Sequence, residues 1–160
     1  MKGTRRVKRW WFVVGFFVII ALVQLAGNNA TEARKKARQA ECENTCVAVQ
    51  DALRKSDYFD FAEAYYTKYS DTIKISVGFY VIDEGNEVDV WTDYKIADMD
   101  RDKEKAEKLQ MIFYEIYNNI LTPLVSNLDG VNLEMTVTDV YGNLSCYKIL
   151  NGKTTYDLYY

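Results

Sequence analysis

Residues 73–94 read IKISVGFYVIDEGNEVDVWTDY, and their pattern decides the fold class. Ile73, Ile75, Val77, Phe79 and Val81 alternate with Lys74, Ser76, Gly78, Tyr80 and Ile82, the period of two expected of a half-buried strand. Asp83-Glu84-Gly85-Asn86 has turn chemistry. Val88, Val90, Thr92 and Tyr94 then alternate with Glu87, Asp89, Trp91 and Asp93. The stretch predicts a hairpin whose second strand turns an acidic face outward.

Downstream, Asp98-Met99-Asp100-Arg101-Asp102 leads into a helix over 101–122. Its apolar face holds Ala106, Leu109, Ile112, Phe113, Ile116, Tyr117, Ile120 and Leu121, and Pro123 should stop or kink it. After the Asp129-Gly130 turn, Val131, Leu133, Met135 and Val137 alternate with polar neighbours. Tyr141-Gly142-Asn143 reverses the chain into 144–150, and Asn151-Gly152 is a two-residue hairpin signal before 153–160. Short turns force antiparallel pairing. The expected fold class is therefore α+β, with an antiparallel sheet of about five strands covered by helices.

Upstream, 57–70 predicts a helix. Asp60 and Glu63 resemble a capping box, and Tyr58, Ala62, Tyr65 and Tyr69 fall on one helical face beside Phe59, Phe61 and Tyr66. Such a stripe ordinarily packs into a core rather than stacking a ligand. Residues 27–56 are rich in Ala, Arg, Lys, Gln and Glu and predict a helical stalk. Ala33, Ala37 and Ala40 form only a weak seam before Val47, so a solvated stalk is expected over a coiled coil.

Trp10 to Ala26, WWFVVGFFVIIALVQLA, has Gln24 as its one polar side chain. As a helix its 17 residues span about 26 Å, against the roughly 30 Å hydrocarbon core of a bilayer. That run is longer than the apolar region of a cleaved signal peptide, and Asn28 follows Leu25-Ala26-Gly27 where a lipoprotein would need cysteine. A transmembrane signal-anchor helix over 10–26 is expected, with Trp10 and Trp11 at the membrane interface. Lys2, Arg5, Arg6, Lys8 and Arg9 make 1–9 a basic tail. The positive-inside rule keeps that N-terminus cytoplasmic and exports the 57–160 domain.

Residues 1–27 hold five Lys/Arg and no acid, so the remaining chain carries 15 Lys/Arg against 23 Asp/Glu, a net −8. A body of that sign repels phosphate backbones, and no nucleic-acid partner is expected. Without histidine, serine–histidine triads and histidine-ligated metals are excluded. Asp98, Asp100 and Asp102 resemble the start of a calcium loop, yet Lys103 and Leu109 stand where its glycine and bidentate glutamate belong. Asp89, Trp91 and Asp93 line one predicted strand face, where an acidic solvated surface is commoner than a sugar site. Asn29-Ala30-Thr31 and Asn143-Leu144-Ser145 match the glycosylation pattern by chance. No catalytic set, cofactor motif or metal-ligand set emerges, so the chain is not expected to be an enzyme.

Cys42 and Cys46 are four apart on one helix face, and Cys146 lies in a late strand. Export favours oxidation, and the expectation is a disulfide from Cys146 to Cys42 or Cys46, since a bond within the helix would be strained. Residues 10–26 partner the lipid bilayer; the stalk or the acidic strand face is available to a protein partner. The plan resembles bacterial envelope proteins in general outline: a single-pass, membrane-anchored extracytoplasmic binding or assembly module. The alternatives are a subunit of a secretion, conjugation or pilus-type machine and a thiol oxidoreductase. A pilin reading is weaker because Ile20 replaces the acid expected after Gly15-Phe16-Phe17.

Overall fold

A computed structural model describes residues 30–159. The chain divides into two units, 1–40 and 41–160. Of the first, residues 30–40 are described: they are helical and almost wholly exposed. The expected membrane segment over 10–26, with Trp10 and Trp11, lies outside the described residues, and among those described no helix is long and apolar enough to cross a membrane.

The second unit opens with the rest of helix α1 (30–54). Cys42, Cys46, Val49 and Leu53 recur at helical spacing and are all buried in the core. The expected solvated stalk over 27–56 is thus corrected from Cys42 onward: small thiols and two aliphatics supply an apolar stripe that the alanine seam hid.

The strands are β1 (Phe61–Thr67), β2 (Thr72–Gly78), β3 (Tyr80–Asp83), β4 (Asn86–Asp89), β5 (Asn132–Thr138), β6 (Ser145–Leu150) and β7 (Lys153–Asp157). Five form one sheet in the order β1-β2-β5-β6-β7, and β3 with β4 forms a separate two-stranded sheet. Neighbours in the large sheet pair antiparallel except β2 and β5, which run parallel. The fold is α+β as expected, but the sheet is mixed rather than antiparallel. Residues 79–131 are long enough for the crossover that parallel strands require.

The predicted helix over 57–70 is replaced by β1. Ala62, Ala64 and Tyr66 pair with Val77, Ile75 and Ile73 on the sheet's buried side, while Glu63 and Tyr65 are exposed. Phe, Tyr and Thr suit a pleated, half-buried surface, and β2 as partner overrides the helical spacing. Tyr69, placed on the predicted stripe, is exposed in the turn that follows. Side chains of α1 complete the outer edge of β1: Ala64 N donates to Gln50 Oε1 (3.0 Å), and Arg54 Nε donates to the Ala62 carbonyl (3.0 Å).

The predicted 73–94 hairpin forms only in part. Strand β2 ends at Gly78, where a Cβ would lie 2.2 Å from the Asp139 carbonyl oxygen, and Phe79 turns into the core. The second strand stops at Asp89, whose carboxylate accepts from Trp91 N (2.8 Å) and Thr92 N (3.2 Å) and so caps helix α2 (Val90–Asp100). Val90, Tyr94 and Ala97 are buried at helical spacing. The expected acidic strand face of Asp89, Trp91 and Asp93 therefore does not exist.

Helix α3 (Lys103–Glu115) starts at the Asp102 cap and runs on in π-helical geometry through Ile116–Leu121 into the short helix α4 (Thr122–Leu124), which carries Pro123. Leu109, Phe113, Tyr117 and Leu121 join a core with Ile73, Ile75, Val77, Leu133, Met135, Val137, Tyr147 and Ile149. The opposite side of the sheet is half-exposed and carries Lys74, Ser76, Glu134, Thr136 and Lys148; Lys74 and Glu134 form an ion pair there (3.3 Å).

Candidate functional site

The β3–β4 hairpin stands apart from the large sheet and is the most acidic part of the body. Residues 79–94 contain five Asp/Glu and no Lys or Arg. Its register pairs Tyr80 with Asp89, Val81 with Val88 and Ile82 with Glu87. Alternation sends the two valines inward, where both are half-buried. Tyr80, Ile82, Glu87 and Asp89 share the outward face, with Tyr80 44% and Ile82 71% exposed.

Two polar clamps fix this hairpin. Lys105 of α3 reaches Asp83 Oδ2 (2.8 Å) and Asp93 Oδ1 (2.5 Å); Asp93 is buried and Asp83 is half-buried. Burial alone would lower the Lys105 pKa, but its hydrogen bonds to Asp83 and Asp93, and their charges, raise it. The second clamp is Asp89, whose other oxygen accepts from Val140 N (2.8 Å). It ties the hairpin to the β5–β6 loop.

That loop is built around Asp139, which accepts from Asn143 N (2.6 Å) and Leu144 N (3.2 Å). Gly142 sits at φ +76° over the Phe61 ring, at a place where a Cβ would lie 2.3 Å from Phe61 Cζ. The result presents Tyr141, 75% exposed, within electrostatic reach of Tyr80. The Tyr80 hydroxyl is raised above the ordinary tyrosine value, first by burial, then by Tyr141, Asp60, Asp89 and Glu87. Two tyrosine rings and Ile82 thus form an aromatic–aliphatic surface rimmed by acids.

A second polar cluster lies under α3. Tyr94 Oη donates to Asp157 Oδ1 (2.6 Å), and the Gln110 amide donates to Tyr94 Oη (2.8 Å) and Asp157 Oδ2 (3.0 Å). Tyr114 and Tyr147 each share a hydrogen bond with Thr154 Oγ1. Burial first, and Asp157 second, raises Tyr94; burial above all pushes Tyr147 up to about 12. Each hydroxyl has a partner, so the network locks α2, α3, β6 and β7 together. The open depression above it, about 500 Å³, is lined by Glu107, Gln110, Met111, Tyr114 and Glu115. All five belong to one helix, which makes it a helix flank rather than an enclosed pocket.

The residues singled out in the sequence fall elsewhere. Cys42, Cys46 and Cys146 are buried thiols, and no disulfide joins them; the expected Cys146 bond is absent. Cys146 Sγ donates weakly to the Val137 carbonyl (3.7 Å). Burial, then Cys42 and Glu43, pushes Cys46 up to about 11, and burial, then Asp89 and Asp157, raises Cys146 as well. Of the three acids resembling a calcium loop, Asp98 pairs with Lys95 (3.3 Å) and Asp102 caps α3 at Lys105 N (3.0 Å); Asp100 is exposed. No cluster of ligating side chains suited to a metal occurs among the described residues. Asn143 lies exposed in the Tyr141 loop.

Sequence reasoning gave Tyr80, Tyr141 and Asp60 structural places only and no binding role. The signal that marks their surface is the run of acids without a base over 79–94, together with Gly78 and Gly142, which break the strands there. Comparison with protein-family models, with characterised proteins and with solved structures finds no match.

Proposed function

We propose that the chain is a membrane-anchored docking module. Residues 10–26 hold it in the bilayer, the basic 1–9 tail stays cytoplasmic, and the α+β body outside presents the hairpin–loop face to a protein partner. The observation that carries this reading is the exposed trio Tyr80, Ile82 and Tyr141, the first two on a hairpin clamped by Lys105 and Asp89 and the third on the β5–β6 loop that Asp89 ties to it. Aromatic side chains on a rigid support bury much contact area at little entropic cost, which is the composition of binding hot spots. The module serves either alone or as a subunit of a larger envelope assembly. The oxidoreductase reading gains no support, because buried thiols with raised pKa values are poor nucleophiles.

The test places a photo-crosslinking residue at Ile82 or Tyr141 of the full chain in its own membranes, with Thr136 on the opposite sheet face as control. A discrete adduct from 82 and 141, absent from 136, supports docking. Equal labelling at all three, or none at 82 and 141, overturns it. Blue native electrophoresis of the solubilised adduct then separates a lone pair from a machine. Alkaline extraction and protease accessibility of intact cells check anchor and orientation.

A further inference from the structure

We infer that the partner segment docking on the hairpin–loop face is basic and sets an arginine or lysine on the rings of Tyr80 and Tyr141; this rests on the docking reading above. Tyr80 and Tyr141 come within electrostatic reach of one another at the surface: Tyr80 is directly opposite Asp89 in the hairpin, and Asp89 holds Val140, the residue before Tyr141. A cation over a tyrosine face is attracted by the ring quadrupole. Here the same cation also meets the acids whose charges reach Tyr80, namely Asp60, Asp89 and Glu87. Glu87 and Asp60 are exposed, and the Asp89 carboxylate, which accepts from three backbone N–H groups, belongs to the residue directly opposite Tyr80.

The hairpin has no cation of its own to satisfy this field. Residues 79–94 contain no Lys or Arg, and Lys105, which reaches the hairpin from α3, is taken up by Asp83 and Asp93. Ile82 adds an apolar wall against which the methylene stem of a long basic side chain can lie. The acids select against phosphate-bearing ligands, whether nucleic acid or anionic lipid headgroup. A purely apolar partner would leave the rim carboxylates desolvated without compensation. Charge complementarity thus chooses a basic protein segment over each of these.

The probe is a fluorescent heptapeptide, Gly-Arg-Arg-Gly-Arg-Arg-Gly, titrated into the full chain in neutral detergent at about 50 mM and about 300 mM salt; a glutamate-for-arginine peptide is the control. Expected are saturable binding of the arginine peptide, weaker at high salt, and no binding of the acidic one. Tyr80→Leu and Tyr141→Leu keep the apolar area but lose the π face, and each should weaken binding roughly three- to tenfold. Glu87→Lys should weaken it further, and Tyr65→Leu on the opposite sheet face should leave it unchanged. If both leucine variants bind as the parent does, the peptide is held by general acidity and the inference is overturned; absence of binding overturns it too. Circular dichroism confirms that each variant is folded. Adducts at Ile82 in membranes without peptide binding would leave the docking reading standing and remove the cation. Ring-dependent peptide binding without adducts would do the reverse.

Discussion

Lys105 sits between two carboxylates in different surroundings. Asp83 keeps contact with water, whereas Asp93 is buried with 3% of its surface exposed. Lys105→Met strands the Asp93 charge in the interior, and such a loss costs about 3 kcal/mol; urea unfolding measures it, and adding Asp93→Leu should return part of it. The pair also sets an alkaline limit. Because the folded-state pKa of Lys105 is raised, its contribution is complete below the unfolded lysine value of about 10.4 and fades as pH climbs through the folded value. Stability of the parent should therefore fall more steeply above about pH 10 than that of Lys105→Met. Gly142 is the second sensitive position. Alanine there meets the Phe61 ring and an unfavourable left-handed backbone at φ +76°. A loss of about 2 kcal/mol is expected in the same assay.

At the scale of elements, Asp89 ends β4, caps α2 and holds the Tyr141 loop. Asp89→Ala removes an acceptor from three N–H groups and should cost about 2 kcal/mol. Hydrogen exchange at Val140 should quicken more than exchange in β5. Asp89 also shows why part of the fold was hidden in the sequence. Val88, Val90, Thr92 and Tyr94 alternate as a strand would, yet the cap converts the second half into helix, and Val90, Tyr94 and Ala97 serve the helical period equally well. The same ambiguity misled the reading of β1, where Tyr and Phe satisfy both spacings until β2 supplies a partner. Elements whose cues are all local were legible: β2, β5, β6, the Asn151-Gly152 turn and the long helix with its Asp102 start. The candidate surface was not, because Tyr80 and Tyr141 are 61 positions apart and are brought near one another by the β2–β5 pairing and the Asp89–Val140 bond.

For the whole molecule, the absence of a disulfide and the burial of all three thiols reverse the expectation drawn from export. A reductant should leave the melting temperature of the full chain unchanged, and a thiol reagent should react with Cys42, Cys46 and Cys146 only as fast as the body opens. A reduction-sensitive melting curve would contradict this arrangement. The sheet's centre was beyond local cues for a physical reason: β2 and β5 pair across the hairpin and two helices, so nothing in either strand announces the other. That parallel pairing has a consequence for the order in which the chain comes together during synthesis. Once α1, β1 and β2 have been made, Gln50 and Arg54 already cover the outer edge of β1, but the inner edge of β2 waits until β5 is made. For that interval Ile73, Ile75 and Val77 flank an unfilled edge, the kind of surface on which nascent chains cross-pair. Lys74, lacking its Glu134 partner until β5 arrives, places an uncompensated charge on the waiting strand and acts as a temporary guard against such pairing.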